Sequence, residues 1–306
     1  VAERPREKRE GQIALPRWSV GEGLVVDWAT ASEYEAVDPR VVRRRSDGEV
    51  RLTFVSHLRI ALSRDGRTIY DVGPPWLVPA TEQEEYGVED PRITRIGERN
   101  YVTYVSVSRH GAATSLASTV NFDECERHGV IFCPENKDVV LFPEKHGDAF
   151  LAIHRPLGGT RFTAPEMWTA RSPDLLHWGD HLPLYGGAKE WESGRVGAGV
   201  PPLKLDDGWL EIYHGNRQPR TKGKVGEYFG AAMFLASDDP RRVERVGREP
   251  ILLPERDFER EGFVSDVVFP TGAIVRGDEL WIYYGASDRY TGVTAISLAD
   301  VRSTLG

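Results

Sequence analysis

The sequence predicts an all-β chain folded as a five-bladed β-propeller, a single domain over residues 1–306 with a polar N-terminal extension at about 1–15. Three observations carry this expectation. Short runs rich in Val, Ile, Tyr, Phe and Trp follow turn signals and recur roughly every 50 to 70 residues, the range of propeller blades with insertions. Each run is followed by a second, small-residue strand that leads into Ser and an acidic turn. Helical signal is weak, with short helices expected only at 298–305 and 32–36 and no long face of 3.6-residue period.

The five units come in order. Residues 50–55 follow Asp47-Gly48, 101–107 follow Gly97-Glu98, and 150–154 follow Gly147-Asp148. Residues 209–214 follow Asp207-Gly208, and 280–284 follow Gly277-Asp278. Gly and Asp at these points supply the backbone freedom and local hydrogen bonds that tight turns need. The second landmark reads Ile60-Ala61-Leu62-Ser63-Arg64-Asp65-Gly66 in the first unit and Thr169-Ala170-Arg171-Ser172-Pro173-Asp174 in the third. It reads Phe234-Leu235-Ala236-Ser237-Asp238-Asp239 in the fourth, with looser copies at 116–119 and 296–300. A pair of β-sandwiches would explain the strands but not the repeat.

Composition narrows the function classes. With 40% apolar and 28% charged residues the balance is that of an ordinary globular protein. A net charge of −8 argues against broad binding to nucleic acid, although an acidic protein can still hold a local basic pocket. Cys125 and Cys133 have no His or Cys partners at ligand spacing, so no metal site is expected and both are read as buried free thiols. The first ten residues are too polar for a secretory signal and no stretch suits a bilayer span. A cytoplasmic protein without membrane partners is the expectation.

Blades converge on an axis, so a propeller's catalytic residues should be scattered along the chain. Glu89-Asp90-Pro91 is the first candidate. The proline disfavours helix at Asp90 and should hold the segment extended, with Glu89 and Asp90 on opposite sides. A buried Asp can act as a general acid, while solvated acids at a blade entry are the plain alternative. Arg155, Arg171 and His177 lie near strand ends of the third unit and suit either an oxyanion cradle or inter-blade salt bridges. In the run 191–199, Gly197-Ala198-Gly199 suggests backbone packed close to the axis or a ligand, and Trp191 suits either a sugar face or a core. Aromatics and single acids at 213–215, 228, 269–272 and 283–288 suit a sugar pocket or blade packing.

Taken together these motifs resemble glycoside hydrolase family 130, the β-mannoside phosphorylases and related mannosidases. The segment Gly87-Val88-Glu89-Asp90-Pro91-Arg92-Ile93-Thr94 is the most specific. Asn136-Lys137-Asp138, Leu141-Phe142-Pro143-Glu144-Lys145, His154-Arg155-Pro156, Gly197-Ala198-Gly199, Val267-Val268-Phe269-Pro270 and Tyr283-Tyr284-Gly285-Ala286 follow in the family's order. The resemblance covers residues from about 38 to the C-terminus and implies a five-bladed propeller. It implies that Asp90 is the general acid, protonating the glycosidic oxygen through a hydroxyl of the bound mannose. Inorganic phosphate, a co-substrate with no further cofactor, then attacks the opposite face and releases α-mannose 1-phosphate. Matching motifs place Arg155, Arg171, His177 and Tyr228 at phosphate, and Asp38 and Asp288 at the mannose ring. Arg59, Asp138, Lys145, Trp191 and His214 complete the expected sugar-binding set. The expected partners are an oligosaccharide, phosphate and a second copy of the chain.

A single acid suffices when the nucleophile arrives as an anion, whereas an inverting hydrolase needs a second carboxylate to activate water. The retained cations therefore favour phosphorolysis. Departures from the family pattern at Asp38, Phe54-Val55-Ser56, Phe229 and Ser265-Asp266 keep a hydrolase open, with Glu192 or Glu227 as its base. A sugar-binding propeller without turnover is a third reading. Ser56-His57-Leu58-Arg59-Ile60-Ala61 looks like the segment of β-1,2-mannoside phosphorylases.

Overall fold

The structure, a computed structural model, describes residues 1–157, 164–219, 221 and 223–306. The chain is all-β. Four of the five predicted units are each built on antiparallel strands, and the sheet of the second also takes in Val55–Ser56 through a parallel pairing of Ser56 with Gly87. Gly87–Ile96, Arg99–Ser108, Gly111–Thr119 and Glu126–Phe132 form the second unit. Asn136–Leu141, Phe150–Pro156, Met167–Ser172 and Gly179–Tyr185 form the third. Arg195–Ala198, Gly208–Arg217, Glu227–Ala236 and Val243–Val246 form the fourth, with Leu203–Leu205 added beside Gly208–Arg217. Val268–Arg276, Glu279–Ala286 and Tyr290–Ser297 form the fifth.

The first unit departs from expectation. It divides into a three-stranded sheet, Tyr34–Ala36, Val41–Arg44 and Val50–Leu52, and a hairpin, Leu58–Ser63 with Ile69–Leu77. The run read as continuous over 50–55 breaks because its two halves take different partners, Val50–Leu52 pairing with Val41–Arg44 and Val55–Ser56 with Ala2–Glu3. The stretch read as a polar extension is partly strand as well. Ala2–Glu3 pairs with Val55–Ser56, and Gln12–Ser19 pairs with Gly23–Thr30. The expected helix at the C-terminus is Leu298–Thr304, started by Ser297, whose hydroxyl oxygen accepts the Asp300 N–H. Cys125 is half-buried and Cys133 is exposed in the loop after Glu126–Phe132, so the expectation of two buried thiols fails at Cys133. No helix among the described residues is long and apolar enough to cross a membrane.

Apolar residues alternate along the inner strands because each strand feeds two cores. In Gly208–Arg217, Trp209 and Tyr213 join a core with Leu151, Ile153 and Val196, while Leu210 and Ile212 join one with Leu280 and Ile282. The third sheet meets the second through Leu116, Leu141 and Ala152. The second meets the first unit through Leu58, Leu77, Val88 and Tyr104. Truncating any of these buried leucines to Ala should cost about 2–5 kcal/mol.

A second device repeats between the sheets. Glu84, Glu192 and Glu259 are each almost wholly buried in a short helical turn. One oxygen of each accepts two backbone N–H groups at the start of its own turn, from Ala80 and Thr81, Ala188 and Lys189, or Glu255 and Arg256. The other accepts the hydroxyl of a tyrosine in a following strand: Tyr104 at 2.9 Å, Tyr213 at 2.7 Å and Tyr284 at 2.7 Å. The three clamps tie the loop entering a sheet to that sheet's own strand.

Candidate active site

A cavity of about 1130 Å³ opens where the sheets' inner strands meet. Arg40 and Ser56, Glu89 and Asp90, Lys137, Asp138 and Arg155, then Arg195, His214 and Tyr228, and finally Phe269 and Asp288 line it, so every unit contributes.

Local backbone geometry decides which side chains reach the cavity. Asp90 adopts a left-handed backbone, φ 52°, and the pairing of Gly87–Ile96 with Arg99–Ser108 slips between Glu89 and Arg92. The expectation of an extended segment with its two acids on opposite sides is therefore corrected. The slip cancels the period-two alternation, and both carboxylates face one cation. Lys137 Nζ stands 3.4 Å from Glu89 Oε1 and 3.4 Å from Asp90 Oδ2. The next inner strand repeats the device: Asp138 is left-handed, φ 56°, and the register slips between Lys137 and Val140. Lys137 and Asp138, adjacent in the chain, thus both line the cavity.

Asp138 is buried at the floor of the cavity. Arg155 Nη1 lies 2.6 Å from its Oδ2, His214 Nε2 lies 3.3 Å from the same oxygen, and Arg92 Nη2 lies 3.8 Å from Oδ1. Gly197 makes this cluster possible. A Cβ there would fall 2.4 Å from Asp138 Oδ2, 2.6 Å from the His214 ring and 2.8 Å from Arg155 Nη1. The glycine run thus packs close to charged side chains.

Charge states follow from burial set against these partners. Burial alone would raise the pKa of Asp138, but Arg155 and His214 outweigh it and hold the carboxylate ionised. Burial disfavours charge on Lys137, yet Asp90 and Glu89 prevail and keep it cationic. Burial holds the His214 pKa down against the pull of Asp138. Burial, aided by the charge of Asp90, pushes Glu89 up despite Lys137. Asp288 is also raised, by burial first, with Arg40 opposing from 3.8 Å.

The sequence candidates divide into three groups. Asp90, Arg155, Tyr228, Asp138, His214 and Asp288 line the cavity. Asp38 stands behind the wall, where its carboxylate accepts Arg40 Nη2 at 3.1 Å. Arg171, His177, Arg59, Lys145, Trp191, Glu192 and Glu227 lie elsewhere.

Antiparallel pairing explains the largest correction. Arg155 sits opposite Lys137, at the cavity end of its sheet, whereas Arg171 sits opposite Leu151, four residues or about 13 Å farther along the strand. There Arg171 bonds Asp148 at 3.0 Å and faces Asp180. His177 occupies the following turn, exposed and 2.8 Å from Asp174 Oδ2. Lys145 lies at the same far end, over the Phe150 ring. Arg59 is exposed on the first hairpin, where it donates to the Gly73 carbonyl at 2.7 Å.

Trp191 packs in the core against Tyr213. Glu192 is held by two backbone N–H groups and the hydroxyls of Tyr185 and Tyr213. Strand alternation turns Glu227 away from its neighbour Tyr228, toward Arg217 and a separate cavity of about 350 Å³.

The sequence reading missed Lys137, Arg195, Arg40 and Arg92 as site residues. Lys137 stood inside the quoted motif Asn136-Lys137-Asp138, which was assigned a role only at Asp138. Arg195 stood inside a run read for its glycines. Among the described residues no carboxylate comes within 4.0 Å of Arg195, unlike Arg155, Arg40 and Lys137.

The family described as beta-1,4-mannooligosaccharide phosphorylase matches residues 33–305. Beta-1,2-mannobiose phosphorylase of Listeria innocua is 41% identical over 262 residues, 83% of this chain and 71% of that protein. The 1,2-beta-oligomannan phosphorylase of a Thermoanaerobacter species is 36% identical over 253 residues, 81% of each chain. The solved structure of the Listeria innocua enzyme with beta-1,2-mannobiose superposes with a TM-score of 0.92 at 36% identity, covering 99% of this chain and 86% of that one.

Proposed function

The chain belongs to glycoside hydrolase family 130, and from that premise we propose that it cleaves β-mannosides by phosphorolysis with Asp90 as the proton donor. The observation that carries this reading is the cavity shared by an acid pair and a set of cations: Asp90 and Glu89 beside Lys137, with Arg155, Arg195 and Tyr228 also lining it. Phosphate is held by Arg155, Arg195 and Tyr228. Arg195, with no carboxylate within 4.0 Å among the described residues, keeps its charge for the anion. A phosphate oxygen attacks the anomeric carbon as the bond to the leaving sugar breaks. The Asp90 proton passes to the departing oxygen, and α-mannose 1-phosphate forms with inversion.

Hydrolysis is less favoured because neither acid assigned to it is placed as a base. Glu192 accepts hydrogen bonds from two backbone N–H groups and two tyrosine hydroxyls and has Lys189 Nζ 3.9 Å away, and Glu227 is paired with Arg217 in the other cavity.

Three finer statements belong to the same proposal. The five units are the blades of a five-bladed propeller, which is supported by core packing between successive sheets. Contacts from the first hairpin to the fifth sheet support it further. The substrate linkage is β-1,2, supported by two of the relatives and by the segment at 56–61. The enzyme works in the cytoplasm, where inorganic phosphate is available. A panel of β-mannobioses assayed with and without phosphate tests the function. Sugar 1-phosphate should form only with phosphate and fastest from the β-1,2 disaccharide. Equal sugar release in phosphate-free buffer would overturn phosphorolysis.

A further inference from the structure

Arg92 is 1% exposed, and its guanidinium bonds to backbone instead of to a close carboxylate. Nη1 donates to the carbonyl of Asp90 at 2.6 Å, and Nε donates to the carbonyl of Gly199 at 2.8 Å, across to the unit that carries Arg195. Nη2 points toward Asp138, 3.8 Å away, and has no hydrogen-bond partner among the described residues. The guanidinium carbon lies 5.1 Å from the Phe269 ring centre, and that ring packs on His214 and Tyr228. One buried cation therefore touches the backbone of the proposed acid and parts of three other units around the cavity.

Two physical points make this more than packing. A left-handed backbone at a non-glycine residue is unfavourable and persists only where surrounding contacts over-determine it. At Asp90 the bond from Arg92 to its own carbonyl is such a contact, and Gly199 anchors the other arm of the fork. A buried, incompletely paired arginine is itself unfavourable, and an apolar side chain would fill the space at lower cost. The nearby acid Glu211 does not neutralise it. Glu211 is fully buried, one oxygen accepts the Gly199 N–H at 3.2 Å, and burial pushes its pKa well above the usual carboxylate range despite Gly199 and Arg92.

We propose that Arg92 is a positioning residue, holding Asp90 in the left-handed turn that aims its carboxylate into the cavity and tying that turn to the Gly199 backbone. The inference rests on Asp90 being the proton donor. Loss of Arg92 should then weaken proton donation selectively. With phosphate present, Arg92→Ala should lower turnover of β-mannobiose by about 10²-fold. A β-mannoside with a nitrophenol leaving group, which departs without protonation, should lose less than about 10-fold. Low concentrations of guanidinium chloride should restore part of the mannobiose rate, and sodium chloride at equal ionic strength should not.

Equal losses on both substrates in a folded variant would overturn the inference. Where circular dichroism shows Arg92→Ala unfolded, Arg92→Lys carries the same comparison, because an ammonium cannot span both carbonyls. Asp90→Asn run beside them separates the two levels. If it loses both substrates equally, the assignment of the acid fails; if it shows the asymmetry and the Arg92 variants do not, only the positioning role fails.

Discussion

Glu192 and Asp138 are both about 2% exposed and belong to neighbouring parts of the fold, yet their surroundings have opposite character. Glu192 accepts hydrogen bonds from two backbone N–H groups and two tyrosine hydroxyls, with Lys189 Nζ 3.9 Å away, inside a loop clamp that recurs at Glu259 and, with Arg127 added, at Glu84. Asp138 faces Arg155, Arg92 and His214 at a cavity wall, with a glycine opposite to make room. Burial alone therefore does not mark a functional acid. Backbone and hydroxyl donors gathered inside a loop build a joint at one carboxylate, whereas two arginines beside another build a charged surface that a ligand can meet.

Perturbing each region should separate them. The largest effect belongs to the cavity: Asp90→Asn should lower turnover of mannobiose by about two to four orders of magnitude with little change in melting temperature. A near wild-type rate would remove Asp90 from the mechanism. Arg155→Met should strand the buried Asp138 charge and destabilise the protein by about 3–5 kcal/mol in urea titration. Glu192→Gln should cost about 1–3 kcal/mol of stability while the turnover of the folded fraction stays unchanged. A collapse of turnover there would revive the hydrolase assignment.

A buried neutral group allows a pH test of the same distinction. His154 lies between Asn136 and His181, and burial, reinforced by His181, lowers its pKa to about 3 from the usual 6.5. Between those values the unfolded chain binds a proton that the folded protein excludes. The His154 contribution is thus fully present above about pH 6.5 and is lost as pH falls toward 3, by up to about 1.4 kcal/mol per unit. His154→Gln should flatten that acid limb relative to wild type, measured as melting temperature against pH. The smallest effects belong to the outer end of the third sheet. Arg171→Ala and His177→Ala should each change stability by less than about 1 kcal/mol and leave the KM for phosphate unchanged.

Strand positions were legible because aromatic and β-branched runs between Gly and Asp turns report directly on half-buried pleated segments. The runs read at 101–107, 209–214 and 280–284 fall within Arg99–Ser108, Gly208–Arg217 and Glu279–Ala286. Which end of a sheet a side chain occupies was not legible. Arg155 and Arg171 look alike in the chain, and only antiparallel pairing with Lys137 and Leu151 sends them to opposite ends. Nor does composition reveal a register slip. Alternation at Glu89-Asp90 predicted one inward residue of the pair, and the left-handed Asp90 turned both inward, as the left-handed Asp138 does for Lys137 and Asp138. The glutamate–tyrosine clamps were hidden because 20, 21 and 25 residues separate the partners.

The tip of the first hairpin is held at the other end of the chain. The Asp65 carbonyl accepts Arg276 Nη1 at 2.8 Å, across 211 residues of sequence, and Arg67 lies over the Trp281 ring. On a ribosome adding about 5–20 residues per second, the hairpin waits about 10–40 s for its partner to be made. Until then its outward Leu62, Ile69, Tyr70 and Val72 stand on a two-stranded sheet without its anchor. Nascent chains stalled just short of Arg276 should accordingly leave the hairpin tip more open to protease than the full-length chain does.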